Sequence, residues 1–110
     1  MSVEQTIVRL LEKVHANPQG ISGFSAVYHF LVSGAEGGAF QVRFENNRAT
    51  YVKGTPDEAG CVIELSDENF NKLVEGKLSP TTAFMLGKLK LKGDMSLALK
   101  LQSIFKTYQS

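Results

Sequence analysis

GKLSPTTAFMLGKLKLKGDMSLALKLQSIF, residues 76–105, holds a short helix, a strand and a long last helix, punctuated by glycines at 76, 87 and 93. Ser79 followed by Pro80 is a helix start, because serine caps orphan amides and proline fits the first helical position. Gly87 closes that helix. Lys88-Leu89-Lys90-Leu91-Lys92 then alternates strictly, leucines on one face and lysines on the other, which is strand periodicity. Gly93-Asp94 ends the strand, and Asp94 is the expected N-cap of the helix that follows.

That last helix carries more apolar surface than one packing face needs. At roughly 100° per residue, Leu97, Ala98, Leu101, Ile104, Phe105 and Tyr108 fill one arc, and Met95 and Leu99 extend it past Gln102. Ser96, Lys100, Ser103 and Thr107 keep a narrow polar back. A surface helix needs an apolar stripe of little more than ~100°. The surplus predicts a second apolar contact, either a neighbouring helix or the wall of a cavity.

Residues 1–16 read as a first helix. Ser2 and Gln5 form a capping box, and Val3, Ile7, Leu10, Leu11 and Val14 recur at helical spacing until Asn17-Pro18-Gln19-Gly20 stops them. Mixed charge on the other face suits packing on a domain better than a membrane surface. Phe24, Ala26, Tyr28, Phe30 and Val32 alternate with Ser25, Val27, His29, Leu31 and Ser33. Both faces turn apolar toward the end, which predicts a central strand. A glycine-rich turn at 34–38 leads into Phe40, Val42 and Phe44, and Asn46-Asn47 suits a hairpin turn because asparagine tolerates left-handed angles. Residues 49–53 return as a third strand, 54–60 form a polar crossover, and Cys61, Ile63 and Leu65 mark a fourth. Ser66 or Asp67 caps a helix that turns Phe70, Leu73 and Val74 inward. The order predicts an α+β fold: a single five-stranded mixed sheet with helices packed on one face.

The chain has 110 residues, 43% hydrophobic, with a formal charge of +1. That fits one domain over residues 1–110 with a real core. A single cysteine cannot form an intrachain disulfide, so a reducing compartment is expected. No apolar run approaches the ~18 residues of a membrane span. Neither a secretory signal nor a Ser-Lys-Leu-type peroxisomal address is visible, and the expected location is cytoplasmic. Charge is uneven: residues 1–70 carry a net −4 and residues 71–110 a net +5. Lys88, Lys90 and Lys92 either protect a sheet edge or meet an anionic membrane surface or a phosphate-bearing ligand. Nucleic acid is not expected, since interleaved exposed aromatics are missing.

No catalytic constellation stands out. His15 ends the first helix, where a cation suits the helix dipole. His29 sits mid-strand between Val27 and Leu31 as a packed or hydrogen-bonded side chain. Cys61 is expected to be a buried small apolar group. Two histidines and one cysteine, far apart, have no metal-ligand spacing, so neither a metal nor a cofactor is expected. Gly34, Gly37 and Gly38 belong to a hairpin, because no Lys-Ser/Thr follows them as in a phosphate loop.

The C-terminal third resembles the signature of the sterol carrier protein 2 domain, a family of small lipid-binding proteins. The resemblance is carried by Gly76-Lys77, Pro80, Ala83-Phe84, Gly87-Lys88-Leu89-Lys90, Gly93-Asp94-Met95 and Ala98-Leu99-Lys100-Leu101-Gln102. The step from Cys61 to Phe70, and the order of elements over nearly the whole chain, fit as well. The resemblance implies a non-catalytic carrier sheltering a fatty acid, fatty acyl-CoA, sterol or phospholipid in an apolar cavity between sheet and helices. It implies a lining from Phe70, Leu73, Phe84, Met85, Leu89, Leu91, Met95, Leu99, Leu101, Gln102 and Phe105, with Phe40, Val42 and Phe44 on the sheet. Gln102 is the polar member, either a ligand hydrogen-bonding group or a surface amide. Two other readings stay open: an interaction or dimerisation module of a larger lipid-metabolising enzyme, and a thioester-handling enzyme using His29.

Overall fold

A computed structural model describes residues 2–109, so Met1, expected to open the first helix, lies outside them. Helix α1 runs Val3–Ala16, and Ser2 and Gln5 close the expected capping box. A 3-10 turn, Pro18–Ile21, follows. Strands β1 (Ala26–Ser33), β2 (Gly38–Glu45), β3 (Arg48–Lys53) and β4 (Cys61–Ser66) come next, then helices α2 (Asp67–Val74) and α3 (Pro80–Met85). Strand β5 (Leu89–Gly93) and helix α4 (Met95–Tyr108) complete the chain. Ser66 caps α2 by accepting from the Asn69 amide, so the cap is the serine and not Asp67. Asn46 and Asn47 both take left-handed angles, φ 53° and 60°, at the β2–β3 turn.

The sheet order is β3-β2-β1-β4-β5, with β1 central as its two apolar faces predict. β1 pairs parallel with β4, and every other pairing is antiparallel, so the sheet is mixed. The polar crossover 54–60 carries the chain from the β3 edge back to the far side of β1. Gly60 anchors its end: its amide donates to the Val27 carbonyl at 3.0 Å and its carbonyl accepts from the Asp94 amide at 2.9 Å. Gly93, at φ +99°, faces that carbonyl so closely that a Cβ there would lie 2.4 Å from the oxygen. Only glycine fits both the angle and the approach.

Alternation sorts the strand residues between two faces. Tyr28, Phe30, Val32, Phe40, Val42, Phe44, Ala49, Cys61, Ile63, Leu65 and Leu89 are buried on the inner face, against which the helices pack. On the other face, His29, Arg43, Glu64, Lys90 and Lys92 alternate with them. Buried residues of α1 (Val3, Ile7, Leu10, Leu11, Val14), α2 (Phe70, Leu73) and α4 (Leu101, Ile104, Phe105) close the core. Two tyrosines pin α4 at its ends. Tyr28 Oη donates to the Leu97 carbonyl at 2.7 Å. Tyr108 Oη donates to the Asn17 carbonyl and accepts from the Gly20 amide at 3.1 Å. His15 lies in the last turn of α1, as expected. Its Nε2 accepts from the Ala49 amide at 3.3 Å.

Candidate functional site

Helix α3 is short, and its sequence leaves it little to bury. Ser79 accepts from the Thr82 amide at the start, Pro80 takes the first position, and only Pro80 and Ala83 are buried. Gly87, at φ +72°, ends the helix, and the Lys88 amide donates back to the Ala83 carbonyl at 2.8 Å. This reversal points the chain into β5 and leaves Phe84, Met85 and Leu86 on the outside, 45%, 80% and 63% exposed.

Helix α4 is capped by Asp94, whose Oδ1 accepts from both the amide and the hydroxyl of Ser96. Those hydrogen bonds hold the Asp94 carboxyl below the usual carboxylate range. Ala98, Leu101, Ile104, Phe105 and Tyr108 are buried as the helical spacing predicts, and Leu97 is half-buried. The surplus of the wheel, Met95 and Leu99, is 51% and 59% exposed. About half of each side chain is therefore open to solvent and not closed off in the core. Phe84, Met85, Leu86, Met95 and Leu99 make up five of the seven exposed large apolar residues described, the others being Val8 and Val52.

Between α2, α3 and α4 lies a cleft of ≈ 230 Å³, with Leu73, Leu78, Pro80 and Phe105 on its walls and Gln102 and Lys106 beside them. Thr81 Oγ1 donates to Gln102 Oε1 at 2.8 Å and ties α3 to α4. Gln102 is thus neither a free surface amide nor wholly buried; its carbonyl oxygen is engaged by α3 while the residue borders the cleft. A further cleft, ≈ 260 Å³, lies between α1 and the C-terminal ends of α2 and α4, lined by Thr6, Arg9, Lys13 and Tyr108 among others. It contains none of the lining residues expected from sequence.

Those residues divide by burial. Phe40, Val42, Phe44, Phe70, Leu73, Leu89, Leu101 and Phe105 are in the core. Leu91 and Gln102 are half-buried, and Phe84, Met85, Met95 and Leu99 are exposed. Aromatic packing fills the core around Phe44, whose ring centroid lies 5.6 Å from that of Phe24 and 5.8 Å from that of Tyr28. Strands β2 and β5 are separated by β1 and β4, three strand spacings or about 14 Å. The sheet residues of β2 and the apolar group on α3 therefore sit on opposite sides of the core, joined through Phe30, Ile63 and Phe70. Phe30 and Phe70 meet edge to face at 5.3 Å. Sequence reasoning missed Leu86, Leu78 and Lys106. The apolar run 83–86 ahead of Gly87 was the available signal for Leu86; the other two depend on how α2 meets α4.

His29, Arg43 and Asp57 are engaged in structural contacts. His29 Nε2 lies 3.1 Å from Gln41 Oε1. Gln41 Nε2 and Arg43 both donate to Asp57 Oδ2, at 2.9 and 2.8 Å. The hydrogen bond from Gln41, then the one from Arg43, hold the Asp57 carboxyl down. Burial, and after it the charge of Asp94, pushes the Cys61 thiol up, away from the thiolate that nucleophilic chemistry requires. Among the described residues no group of three or more His, Cys, Asp or Glu side chains could hold a metal ion.

A family model described as the SCP-2 sterol transfer family matches residues 7–106. Hydroxysteroid dehydrogenase-like protein 2 of Xenopus laevis is 40% identical over 89 residues, 80% of this chain and 21% of that protein. The human protein of the same name is 39% identical over 85 residues, 76% of this chain and 20% of that one. The chain thus spans about a fifth of the length of these curated relatives. Among solved structures, palmitated SCP2L2 from Aedes aegypti superposes with a TM-score of 0.78 at 24% identity, covering 100% of this chain and 99% of that one. The crystal structure of Sterol Carrier Protein 2 Like 2 from the same mosquito gives 0.72 at 26% identity, over 93% and 94% of the two chains.

Proposed function

The chain belongs to the SCP-2 sterol transfer family, and on that premise we propose that it binds a lipid with a long apolar chain where α3, β5 and α4 meet. The observation that carries this reading is that Phe84, Met85 and Leu86, at the end of α3, and Met95 and Leu99, on α4, are all exposed, on helices tied together by the Thr81–Gln102 hydrogen bond. Binding energy comes from removing apolar ligand surface from water, about 25 cal/mol per Å² before association costs. The cleft of ≈ 230 Å³ is below the ~300 Å³ of an ordinary ligand pocket. Admission of the chain therefore requires α3 to move away from α4, with the Thr81–Gln102 hydrogen bond as the tie that opens. The buried members, Leu73, Leu89, Leu101 and Phe105, then form the inner lining. Gln102, released from Thr81, offers its amide to a ligand carboxylate or hydroxyl.

The ligand is bound and released unchanged. The structural engagement of His29 and the raised thiol of Cys61 support this reading over the thioester-handling alternative. Titration of lipid-stripped protein with a fluorescent fatty acid tests the proposal: saturation at one ligand per chain supports it, and the absence of saturable binding overturns it. A second reading is favoured by the relatives, whose chains are about four times as long: the domain presents lipid to an attached enzyme. Both readings share the same site, and they differ in whether covalent linkage to a catalytic domain raises turnover of a lipid substrate.

A further inference from the structure

We propose that the exposed edge of β3 is where a second copy of this chain docks, the two sheets joining antiparallel through their β3 strands. The two edges of the sheet, β3 and β5, are built differently. Lys88, Lys90 and Lys92 guard β5, and charge along an edge discourages pairing. β3 reads Arg48-Ala49-Thr50-Tyr51-Val52-Lys53. Between its terminal cations there is no charge and no proline, and threonine, tyrosine and valine favour strand pairing. Of the seven exposed large apolar residues described, the two that the lipid site leaves unexplained, Val8 and Val52, both flank this edge. Val52 stands on β3 itself. Val8 lies on α1 between Glu4, which accepts from Tyr51 Oη at 2.7 Å, and His15, which accepts from the Ala49 amide, so this stretch of α1 runs alongside β3. Glu4, Val8 and Glu12 recur every four residues on one side of the helix, and with Tyr51 they border an open groove of ≈ 780 Å³.

The hairpin fixes which main-chain groups the edge offers. Asn46 and Asn47 form a two-residue turn with both φ angles positive, and Glu45 pairs with Arg48 across it. Such a turn makes its flanking residues a hydrogen-bonded pair, and the pattern alternates from there. Arg48, Thr50 and Val52 therefore turn their main-chain groups toward β2, while Ala49, Tyr51 and Lys53 turn theirs outward. The Ala49 amide meets His15, as this requires, and Tyr51 and Lys53 present theirs to an incoming strand. A two-fold axis at Tyr51 sets Tyr51 opposite Tyr51, Ala49 opposite Lys53 and Thr50 opposite Val52. No like charges face each other, and the threonine–valine pairs cover Val52. Lys53 of the second copy arrives beside Ala49, at the end of α1 that carries Glu12. Glu12 is exposed and has no ion-pair partner among the described residues. Lys53 is 70% exposed, with Glu4 of its own chain at 3.2 Å, so it is free to reach across. Symmetry makes each contact twice, which is the self-complementarity of an isologous interface. That match decides the occupant in favour of a second copy over an unrelated strand.

The test is sedimentation velocity of the whole, lipid-stripped chain over a concentration series, with amide exchange as the site-specific readout. A monomer–dimer equilibrium is expected, with exchange at the Tyr51 and Lys53 amides slowing as the dimer forms and exchange in β5 unchanged. Val52→Lys, at a site 45% exposed, is expected to weaken the dimer by placing a charge on the edge. Glu12→Lys is expected to weaken it about tenfold, because two ion pairs become two repulsions. Adding Lys53→Glu to Glu12→Lys is expected to restore the affinity. All three side chains are exposed, so the denaturant midpoints are expected to stay near that of the parent. Sedimentation as a monomer up to about 1 mM overturns the proposal. A dimer that neither Val52→Lys nor Glu12→Lys weakens, or one that forms without slower exchange at Tyr51 and Lys53, also overturns it. A dimer that Leu86→Glu dissociates and Val52→Lys does not overturns it too and assigns the contact to the tip of α3.

Discussion

Leu99→Trp is the perturbation that most directly tests the site, because the chain contains no tryptophan and the new indole reports from one place. Leu99 is 59% exposed on α4, whereas Leu101, two residues on, is 2% exposed. Full burial of a leucine side chain is worth about 1.5–3 kcal/mol. With well over half of Leu99 in water, its loss costs at most about 1 kcal/mol, and enlarging it meets no packed wall. Leu101→Ala, by contrast, leaves a hole in the core and is expected to cost about 2–5 kcal/mol. The denaturant midpoint of Leu99→Trp is therefore expected to stay close to that of the parent protein. Its emission is expected to be that of a water-exposed indole in lipid-stripped protein and to shift to the blue on adding a fatty acid. Fatty-acid affinity is expected to fall, because the indole occupies ligand volume. The reasoning is refuted if the stripped variant already emits in the blue and has lost the roughly 1–3 kcal/mol typical of overpacking, since Leu99 would then be a core residue. It is equally refuted if emission does not move at saturating ligand and affinity is unchanged.

Phe70→Ala removes a ring that is 1% exposed and packed edge to face on Phe30, with an expected loss of about 3–5 kcal/mol in equilibrium unfolding. Ser66→Ala removes the hydroxyl that accepts from the Asn69 amide at 3.1 Å; a loss of about 0.5–2 kcal/mol is expected from the same measurement. Gly93→Ala forces a side chain into a left-handed site 2.4 Å from the Gly60 carbonyl, so destabilisation and faster amide exchange in β5 are expected. The Cys61 thiol and the Tyr28 phenol are both pushed up by burial, so the folded state holds their protons longer than the unfolded chain does. Their stability contribution is complete below the unfolded values and declines as pH rises through them, from about 8.5 for cysteine. Cys61→Ala is expected to flatten the first part of that decline in urea unfolding measured between about pH 7 and 10.

Much of this molecule is local in origin and therefore legible without coordinates. Capping by Ser2, Ser79 and Asp94 depends on residues three or fewer apart, and the Asn46-Asn47 turn depends on the angles asparagine tolerates. Strand faces follow from the two-residue period, which is why Tyr28, Phe30 and Val32 are buried together. The centrality of β1 was readable because both its faces are apolar. Contacts between distant residues were not readable. His15 is held at its ring by the amide of Ala49, on another element. Gln102 is engaged because α3 brings Thr81 beside it. The wheel of α4 showed that Met95 and Leu99 exceed one packing face, but a periodic pattern fixes only direction around an axis. Whether that direction meets core, cavity or water depends on the rotation of the helix against the sheet. Here Tyr28 holds the Leu97 carbonyl and Tyr108 holds the Asn17–Gly20 turn, and those long-range hydrogen bonds set the rotation that turns Leu101 inward and leaves Leu99 in water.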